Sequence, residues 1–422
     1  MSAADHQPRK RVRPTRAEAA DRHELVRRAN IEAVFRTITE RAPVSRNELI
    51  RLTGLSKPTV LALVAALQDD GLIRDATVRV TMPRAVGRIP VAYEPNPQSA
   101  YVVGVDLGGT KIAVALGALT GAALAKVEEA TTTDGGAAVV RQIARLAREA
   151  AAQAGVAWSR VDAVSVGTPG VVNPDGTIRM ADNVNGLDTV HFAPALRRSL
   201  RTDVRVENDV NMAALGELAE GVARGCSTFV LLAIGTGLGM GVVVDGQLVR
   251  GSRGAAGEVA FLPIGTDPAS IAARRRGAFE VSASGSGVQD LVCAELDRHA
   301  GATILTRSST ARDVYAAAAL GDVVGLRVVE GHAALVARAV LAVAALLDPE
   351  MVVLGGGIGA NPLHLEPLRA AVAAICPWPV RVETSALGAG AGLVGTLHHA
   401  RRSLPEIESA RVSVRMQTGT PS

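Results

Sequence analysis

Apolar residues change their spacing along the chain near residue 95. Before that point they recur with the period of an α-helix, in two groups: Ile31, Val34, Phe35 and Ile38, then Leu61, Leu63, Val64 and Leu67. Beyond it, short apolar runs predict strands at 101–105, 112–116, 161–166, 204–206, 229–234, 241–244 and 351–354. Helical stretches such as 137–154 and 325–347 separate these runs. The pattern predicts a helical head followed by an α/β body.

Capping signals divide the head into short helices joined by a glycine. Ser45, with Glu48 three residues later, forms a capping box that starts one helix, and Gly54 then permits a sharp turn. Ser56 caps the next helix, with Pro58 in its first turn. A helix pair of this kind can be purely structural. Small polar and cationic residues at the start of the second helix favour a helix-turn-helix that enters the major groove of DNA.

The segment 72–91 alternates in polarity and carries four arginines, as a β-wing beside a recognition helix would. A winged helix-turn-helix domain is therefore predicted over 26–95. Its expected partner is a double-stranded DNA operator. The candidate DNA-binding residues are Ser56, Lys57, Thr59, Arg84 and Arg88.

Charge is distributed unevenly between the head and the body. Residues 1–90 contain 17 Lys and Arg against 10 Asp and Glu, a net charge of +7, whereas the remainder contains 28 against 31, or −3. A basic head attracts DNA phosphates, although a solubilising tail would explain the charges from Arg9 to Arg16 equally well. Residues 1–25 are expected to form a basic, disordered tail.

Cysteine content and hydropathy limit the compartment. Cys226, Cys293 and Cys376 lie far apart without a CxxC pair, so neither a disulfide framework nor a cysteine-rich zinc site is predicted. No apolar run reaches the ~18 residues that span a bilayer, and the charged N-terminus has no apolar core behind it. We expect a cytoplasmic protein without a membrane partner.

Three glycine-rich turns follow strands in the body, at 106–111, 234–241 and 354–358. Glycine lets backbone N–H groups approach a phosphate, and Asp106 could hold Mg²⁺ through water. One such loop is usually just a tight turn, but three favour a nucleotide or phosphosugar cleft. The candidate nucleotide- and phosphate-binding residues are Asp106, Gly108, Gly109, Thr110, Lys111, Thr236, Gly237, Gly355 and Gly356.

An ordered set of motifs gives the body a specific resemblance. The motifs are VDLGGTK at 105–111, GTPG at 167–170, ENDVN at 207–211, GTGLG at 235–239, GAAGE at 254–258 and LGGG at 354–357. In this order they resemble the ROK family, which comprises repressors, open reading frames and sugar kinases. Because a winged head precedes the body, the chain most resembles the sugar-responsive repressors of that family, such as those for xylose or N-acetylglucosamine. The resemblance implies a two-lobed, actin-like ATPase body of ribonuclease H-like fold at 100–405, followed by a tail at 406–422.

The resemblance also implies a sugar site. Its candidate residues are Asn208, Asp209, Glu258 and Glu280. Asp209 matches the general base of ROK kinases, which takes a proton from a sugar hydroxyl, and in a regulator it would be a vestigial base that contacts the ligand. These side chains offer acceptors and one amide, so the expected effector is an unphosphorylated sugar.

The zinc site of the family is not matched. Counting without gaps from Glu258 to Glu280, the zinc-binding histidine falls on Phe261, and the three cysteines fall on Ile271, Ala273 and Ala278. Nothing soft replaces these ligands, so zinc is not expected. The loss of a metal that supports Glu280 predicts weak or altered sugar binding.

Three functions remain open. The first is a DNA-binding transcriptional repressor of carbohydrate metabolism whose body senses a sugar or sugar derivative, acting as a homodimer or homotetramer. The second is an active sugar kinase with a DNA-binding head, which alone would require ATP and Mg²⁺. The third is a regulator whose ligand-free body serves dimerisation. We expect no physiological turnover, because phosphoryl transfer needs an accurately held acceptor hydroxyl.

Overall fold

The computed structural model describes residues 16–76, 91–173, 175–181, 183–298 and 301–418. The chain separates into two compact units. The head unit comprises Met1–Ala100, Ala118–Gly121 and Arg402–Ser422, and the body unit comprises Tyr101–Gly117 and Ala122–Arg401. The division near residue 100 agrees with the change in apolar spacing.

The described N-terminal residues of the head unit form three helices and a small antiparallel sheet. The helices are α1 (Arg16–Arg41), α2 (Arg46–Thr53) and α3 (Lys57–Asp69). The strands β1 (Val44–Ser45), β2 (Ile73–Asp75) and β3 (Ala92–Pro95) pair in the order β1-β3-β2. The chain bends by 115° between α2 and α3, which is the geometry of a helix-turn-helix.

The predicted capping signals form in the structure. Ser45 Oγ accepts the Glu48 N–H, and Glu48 Oε2 accepts the Ser45 N–H at 2.9 Å, which completes the capping box of α2. Gly54 ends this helix with a φ of 69°, a conformation that favours glycine. Ser56 caps α3 by accepting the Thr59 N–H. These local contacts start and stop the two helices where the sequence predicts.

The core of the head is made by the apolar stripes seen in the sequence. Ile31, Val34, Phe35 and Ile38 of α1 are completely buried, and α3 contributes Leu63, Val64 and Leu67. Leu49 of α2 lies in the same core. Burial of these faces supplies most of the stability of such short helices.

Both predicted tails contain helix. Helix α1 begins at Arg16, inside the segment 1–25 that was expected to be a tail. Helix α14 (Ala391–Thr418) continues through most of the segment 406–422. Its last part is held in the head unit because Val412 is buried and Arg415 forms an ion pair with Asp70, the C-cap of α3. Residues 77–90, most of the predicted wing with Arg84 and Arg88, lie outside the described residues.

The first lobe of the body is a five-stranded sheet in the order β10-β7-β4-β5-β6. Its strands are β4 (Tyr101–Leu107), β5 (Lys111–Ala118), β6 (Ala123–Ala130), β7 (Val161–Thr168) and β10 (Asp203–Asn208). Strands β10, β7 and β4 are parallel, and β6 is antiparallel to β5. The lobe also contains the hairpin β8 (Val171–Val172) and β9 (Ile178–Arg179), and the helices α4 (Gly136–Gln153), α5 (Phe192–Leu200) and α6 (Asp209–Glu220).

The second lobe repeats this plan with the order β13-β12-β11-β14-β15. Its strands are β11 (Phe229–Ile234), β12 (Leu238–Val244), β13 (Gln247–Leu248), β14 (Met351–Gly355) and β15 (Val382–Thr384). Its helices are α7 (Ile271–Arg276), α8 (Ala278–Ala283), α9 (Gly285–Arg298), α10 (Ala311–Ala319), α11 (Val323–Leu347), α12 (Gly356–Gly359) and α13 (Pro362–Ile375). Short 3₁₀ turns lie at Trp158–Arg160, Val259–Phe261 and Gly388–Gly390. The two mixed sheets form the predicted two-lobed, actin-like body.

Helix α11 is the apolar centre of the second lobe. Within the described residues it is the one unbroken helix long and apolar enough to cross a membrane by length and composition. Val328, Val336 and Val340 are buried in the core cluster that also contains Ile234 and Leu354. These contacts are those of a core helix in a folded α/β body.

Candidate functional site

Asn208 and Asp209 lie where β10 ends and α6 begins. Asn208 is the N-cap: its Oδ1 accepts the N–H groups of Val210 and Asn211 at 2.9 and 3.1 Å. Its Nδ2 donates to the carbonyl of Gly170 at 3.1 Å. The cap therefore fixes Asp209 as the first residue of the helix, at the carboxyl end of a parallel sheet where ligands commonly bind.

Two carboxyl groups meet at this sheet edge. Burial raises the pKa of Asp209 to about 7, with a further contribution from the negative charge of Asp106. Burial also raises the pKa of Asp106 to about 6. The Asp106 carboxylate packs against Gly392, where a Cβ atom would lie 2.9 Å from Asp106 Oδ2, so a larger residue at this position would displace the carboxylate. Asp209 is thus poised to exchange a proton near neutral pH.

Glu258 and Glu280 come from the second lobe. Burial raises the pKa of Glu258, and the charge of Glu280 adds to this shift. Glu280 is held at both oxygens: Oε1 accepts from Arg276 Nε at 3.0 Å, and Oε2 accepts the Leu238 N–H at 3.1 Å. Its orientation is therefore fixed before any ligand binds.

These four side chains line one cavity of about 870 Å³. The structure thus brings together Asn208, Asp209, Glu258 and Glu280, as the sequence predicts. The glycine turns add Thr236, Gly237 and Gly356 to its wall. The volume and the mixture of amide and carboxyl groups suit a small polyhydroxy ligand. The cavity is also lined by residues for which the sequence predicted no role, among them Pro169, Met180, Asn183, Asn211, Arg275 and Arg276.

A second cavity, of about 1430 Å³, lies in the second lobe. Its wall includes Ser286 of α9 and apolar residues of later elements: Ala311, Tyr315, Ala316, Ala319, Ile358 and Leu363. Gly235, Thr236, Arg276 and Gly356 line both cavities. The sequence carried no signal for this cavity beyond the third glycine turn, because α9, α10 and α13 meet only in the folded lobe.

The first glycine turn has a different setting from the second. Among the described residues lining the two cavities, none belongs to 106–111, and Gly355 is also absent. The Gly108 N–H donates to the Lys111 carbonyl at 2.9 Å, and Lys111 pairs with Glu128 at 3.3 Å. The backbone of Gly109 lies against Asn183. Asp106 therefore influences the site electrostatically, because its charge raises the pKa of Asp209. The phosphate-binding role of Gly108, Gly109, Thr110 and Lys111 stays a prediction.

The residues at the family's zinc positions do not fit a metal. Phe261 lines the first cavity and is 42% exposed, Ile271 is 81% exposed, and Ala273 and Ala278 are buried. None of these side chains has a donor atom for zinc. The described part of the chain also contains no cluster of three or more His, Cys, Asp or Glu residues arranged to hold a metal.

The recognition helix presents its first turn to solvent. Ser56 and Lys57 are exposed, and Thr59 is half-buried. The Ser56 and Thr59 hydroxyls lie 2.8 Å apart and form a hydrogen bond with each other. Lys57 is therefore the residue of this group best placed to reach a phosphate or a base.

Two mixed sheets, a polar cavity at the strand ends and a helix-turn-helix define a sugar-kinase-like body joined to a DNA-binding head. The model of the ROK family matches residues 102–403, and that of a winged helix-turn-helix DNA-binding domain matches residues 27–74. The chain belongs to the ROK family.

Relatives of two kinds are similar to this chain. A glucokinase from Halalkalibacterium halodurans is 31% identical over 280 residues, covering 64% of this chain and 84% of that protein. The xylose repressor of Bacillus subtilis is 25% identical over 260 residues, covering 62% and 67%. The crystal structure of a ROK family transcriptional regulator, a homologue of the E. coli MLC protein, matches with a TM-score of 0.77 and 23% identity, covering 92% of this chain and 99% of that one. This last likeness includes the head and supports the fold. A ROK body joined to a winged helix-turn-helix, together with the similarity to xylose repressors, supports a sugar-related transcription regulator.

Proposed function

We propose that this protein is a cytoplasmic transcriptional repressor of carbohydrate metabolism that releases its operator when the body binds a sugar or sugar derivative. The observation that carries the proposal is the presence, in one chain, of a helix-turn-helix with Lys57 exposed and a cavity lined by Asn208 and Asp209. The similarity to xylose repressors supports it. Operators with two-fold symmetry favour a homodimer or homotetramer.

The proposed effector is an unphosphorylated sugar. Asp209, Glu258 and Glu280 place three carboxyl groups on the cavity, against the guanidinium groups of Arg275 and Arg276. Because Arg276 is already bound to Glu280, Arg275 is left facing Asp209 and Glu258, and the cavity offers no excess of positive charge to bind a phosphate ester. Hydroxyl groups can donate to the carboxylates and accept from the Asn208 amide.

Sugar binding must differ between the two states of the regulator if it is to release DNA. A tenfold loss of operator affinity requires about 1.4 kcal/mol of coupling. The test combines a thermal-shift screen of D-glucose, D-xylose and N-acetyl-D-glucosamine with fluorescence anisotropy on DNA recovered with the protein. We expect one sugar to raise the Tm and to weaken DNA binding, and its 6- or 5-phosphate to do neither. Stabilisation by the phosphate alone would contradict the proposal.

An active sugar kinase is the second candidate, favoured by Asp209. A carboxyl group whose pKa is raised to about 7 is suited to general-base catalysis at neutral pH. A coupled ADP-release assay with the same sugars, ATP and Mg²⁺ tests this candidate. Sugar-dependent turnover of about one per second, lost in Asp209→Asn, would establish a kinase; we expect none. Absence of any thermal shift would instead favour a ligand-free body that serves dimerisation.

A further inference from the structure

The loop that occupies the family's zinc region has little apolar anchoring. Helix α7 has six residues, of which Ala273 alone is buried, and Ile271 at its start is 81% exposed. A helix of fewer than two turns with one buried side chain is marginal by itself. Polar contacts must therefore hold this loop in place.

Arg276, the last residue of α7, supplies such contacts. Its Nε donates to Glu280 Oε1 at 3.0 Å, and its two terminal nitrogens donate to Ser284 Oγ and Ser286 Oγ, each at 3.4 Å. Glu280 lies in α8, Ser284 is the C-cap of that helix, and Ser286 lies in α9. The rigid fork of a guanidinium group can bind three acceptors at once, which an ammonium group on a flexible stem cannot do in the same geometry.

Glu280 connects this cluster to the second glycine turn. Its Oε2 accepts the Leu238 N–H at 3.1 Å, and the Gly285 N–H donates to the Gly235 carbonyl at 2.9 Å. The turn at 235–237 and Arg276 itself line both cavities. A displacement of Arg276 would therefore reach the wall that the two cavities share.

We propose that Arg276 is a positioning residue that fixes Glu280, and through it the turn at 235–237, so that the cleft is ordered without zinc. The guanidinium group neutralises Glu280 and holds α7 against α8, with no donor required at Phe261, Ile271, Ala273 or Ala278. The loss of the zinc ligands led us to expect a weakened cleft. Under this proposal the cleft is instead organised by Arg276. Its relevance to sugar binding rests on the proposed function, but the ordering of the turn does not.

Hydrogen exchange of the Leu238 amide tests the proposal without any ligand. In the full-length protein, we expect Arg276→Ala to speed this exchange about tenfold, because a charge-assisted hydrogen bond loses its fixed acceptor. Arg276→Lys should restore part of the protection. The matched control is Arg274→Ala, which removes the same charge from an exposed position of α7 that lines neither cavity and should change nothing. Unchanged exchange in Arg276→Ala, or equal exchange in both alanine variants, would overturn the proposal.

A double-mutant cycle and a metal titration complete the test. Thermal unfolding of Arg276→Ala, Glu280→Gln and the double variant should be non-additive, the double variant losing less than the sum of the single losses. Additive losses would contradict an action through Glu280. Chelator should not lower the Tm of the wild-type protein, and equimolar Zn²⁺ should not raise it; either change would show that a metal orders the loop. Because no sugar is used, these outcomes are independent of whether the cleft senses one.

Discussion

The charged residues that we assign to function are exposed to solvent in the head but partly buried in the cleft of the body. Lys57 stands exposed at the start of α3. Asp209 and Asp106 are partly buried at the carboxyl end of the first sheet, and this burial raises their pKa to about 7 and about 6. Binding through exposed charges depends on ionic strength, whereas binding through carboxyl groups with a raised pKa depends on pH near neutrality. DNA binding and ligand binding in this protein should therefore depend on different solution variables.

The largest effect is expected from Asp209→Asn in the cleft. The substitution keeps the size of the side chain but removes the charged acceptor, so affinity for the sugar found in the thermal-shift screen should fall about 100-fold at pH 8. Calorimetry measures the change. The control is Glu149→Gln, which removes a surface carboxyl group of α4 that pairs with Arg145. Equal affinity in Asp209→Asn and wild type would remove Asp209 from the site.

The corresponding change in the head is Lys57→Ala. Loss of one phosphate contact should weaken operator binding by about tenfold at low salt and lower the slope of log K against log salt by about 1. Anisotropy titrations between about 50 and 200 mM salt would measure both the operator affinity and the slope. Lys126→Ala, an exposed lysine on β6 of the body, is the matched control and should leave the slope unchanged. An unchanged slope in Lys57→Ala would remove this lysine from the DNA interface.

A further effect is expected in the pH dependence of stability. Because the folded-state pKa of Asp209 lies near 7, above its ordinary value of 3.8, ionisation costs stability. At pH 4 the carboxyl group of Asp209 is protonated in the folded protein and costs no stability. As the pH rises from about 4 to about 7, the unfolded chain ionises first, so the free energy of unfolding falls. Denaturant unfolding at pH 5 and pH 8 should therefore show Asp209→Asn to be more stable than wild type at pH 8 by about 4 kcal/mol, with a smaller difference at pH 5. The opposite sign would mean that a positive group compensates the ionised carboxylate.

The same contrast separates what the sequence predicts from what it does not. In the head, Ser45, Glu48, Gly54 and Ser56 act within one turn of their partners, so the helix limits are legible in the sequence. In the cleft, the contiguous pair Asn208 and Asp209 was predicted from the motif at 207–211 and the family resemblance, whereas the helix cap at Asn208 is seen only in the structure.

Contacts between separate elements of the body were not predictable. Arg276 and Glu280 have the i,i+4 spacing of a helical ion pair, but they lie in different helices, α7 and α8, and nothing in the sequence indicates that Arg276 also bonds to Ser284 and Ser286. The turns at 106–111 and 234–241 look equivalent in sequence, yet only the second lines the cavities. Their difference depends on which lobe packs behind each turn, and this is a property of the folded chain.

The smallest effect concerns the capping box, which occurs in both units. Ser45 with Glu48 caps α2 in the head, and Thr310 with Asp313 caps α10 in the body by the same reciprocal hydrogen bonds. Replacing either hydroxyl residue by alanine should cost about 1 kcal/mol of local stability, because an N–H group of the first turn loses its acceptor.

Hydrogen exchange distinguishes the two variants. Ser45→Ala should speed amide exchange in α2 about fivefold and leave α10 unchanged, whereas Thr310→Ala should do the reverse. Operator affinity should fall only in Ser45→Ala, since α2 supports the placement of the recognition helix, and any change in the second cavity should appear only in Thr310→Ala, whose residue lines it. Faster exchange in both helices from a single substitution would show that the head and the body open as one cooperative unit, and the separate dependence on salt and on pH would then no longer be expected.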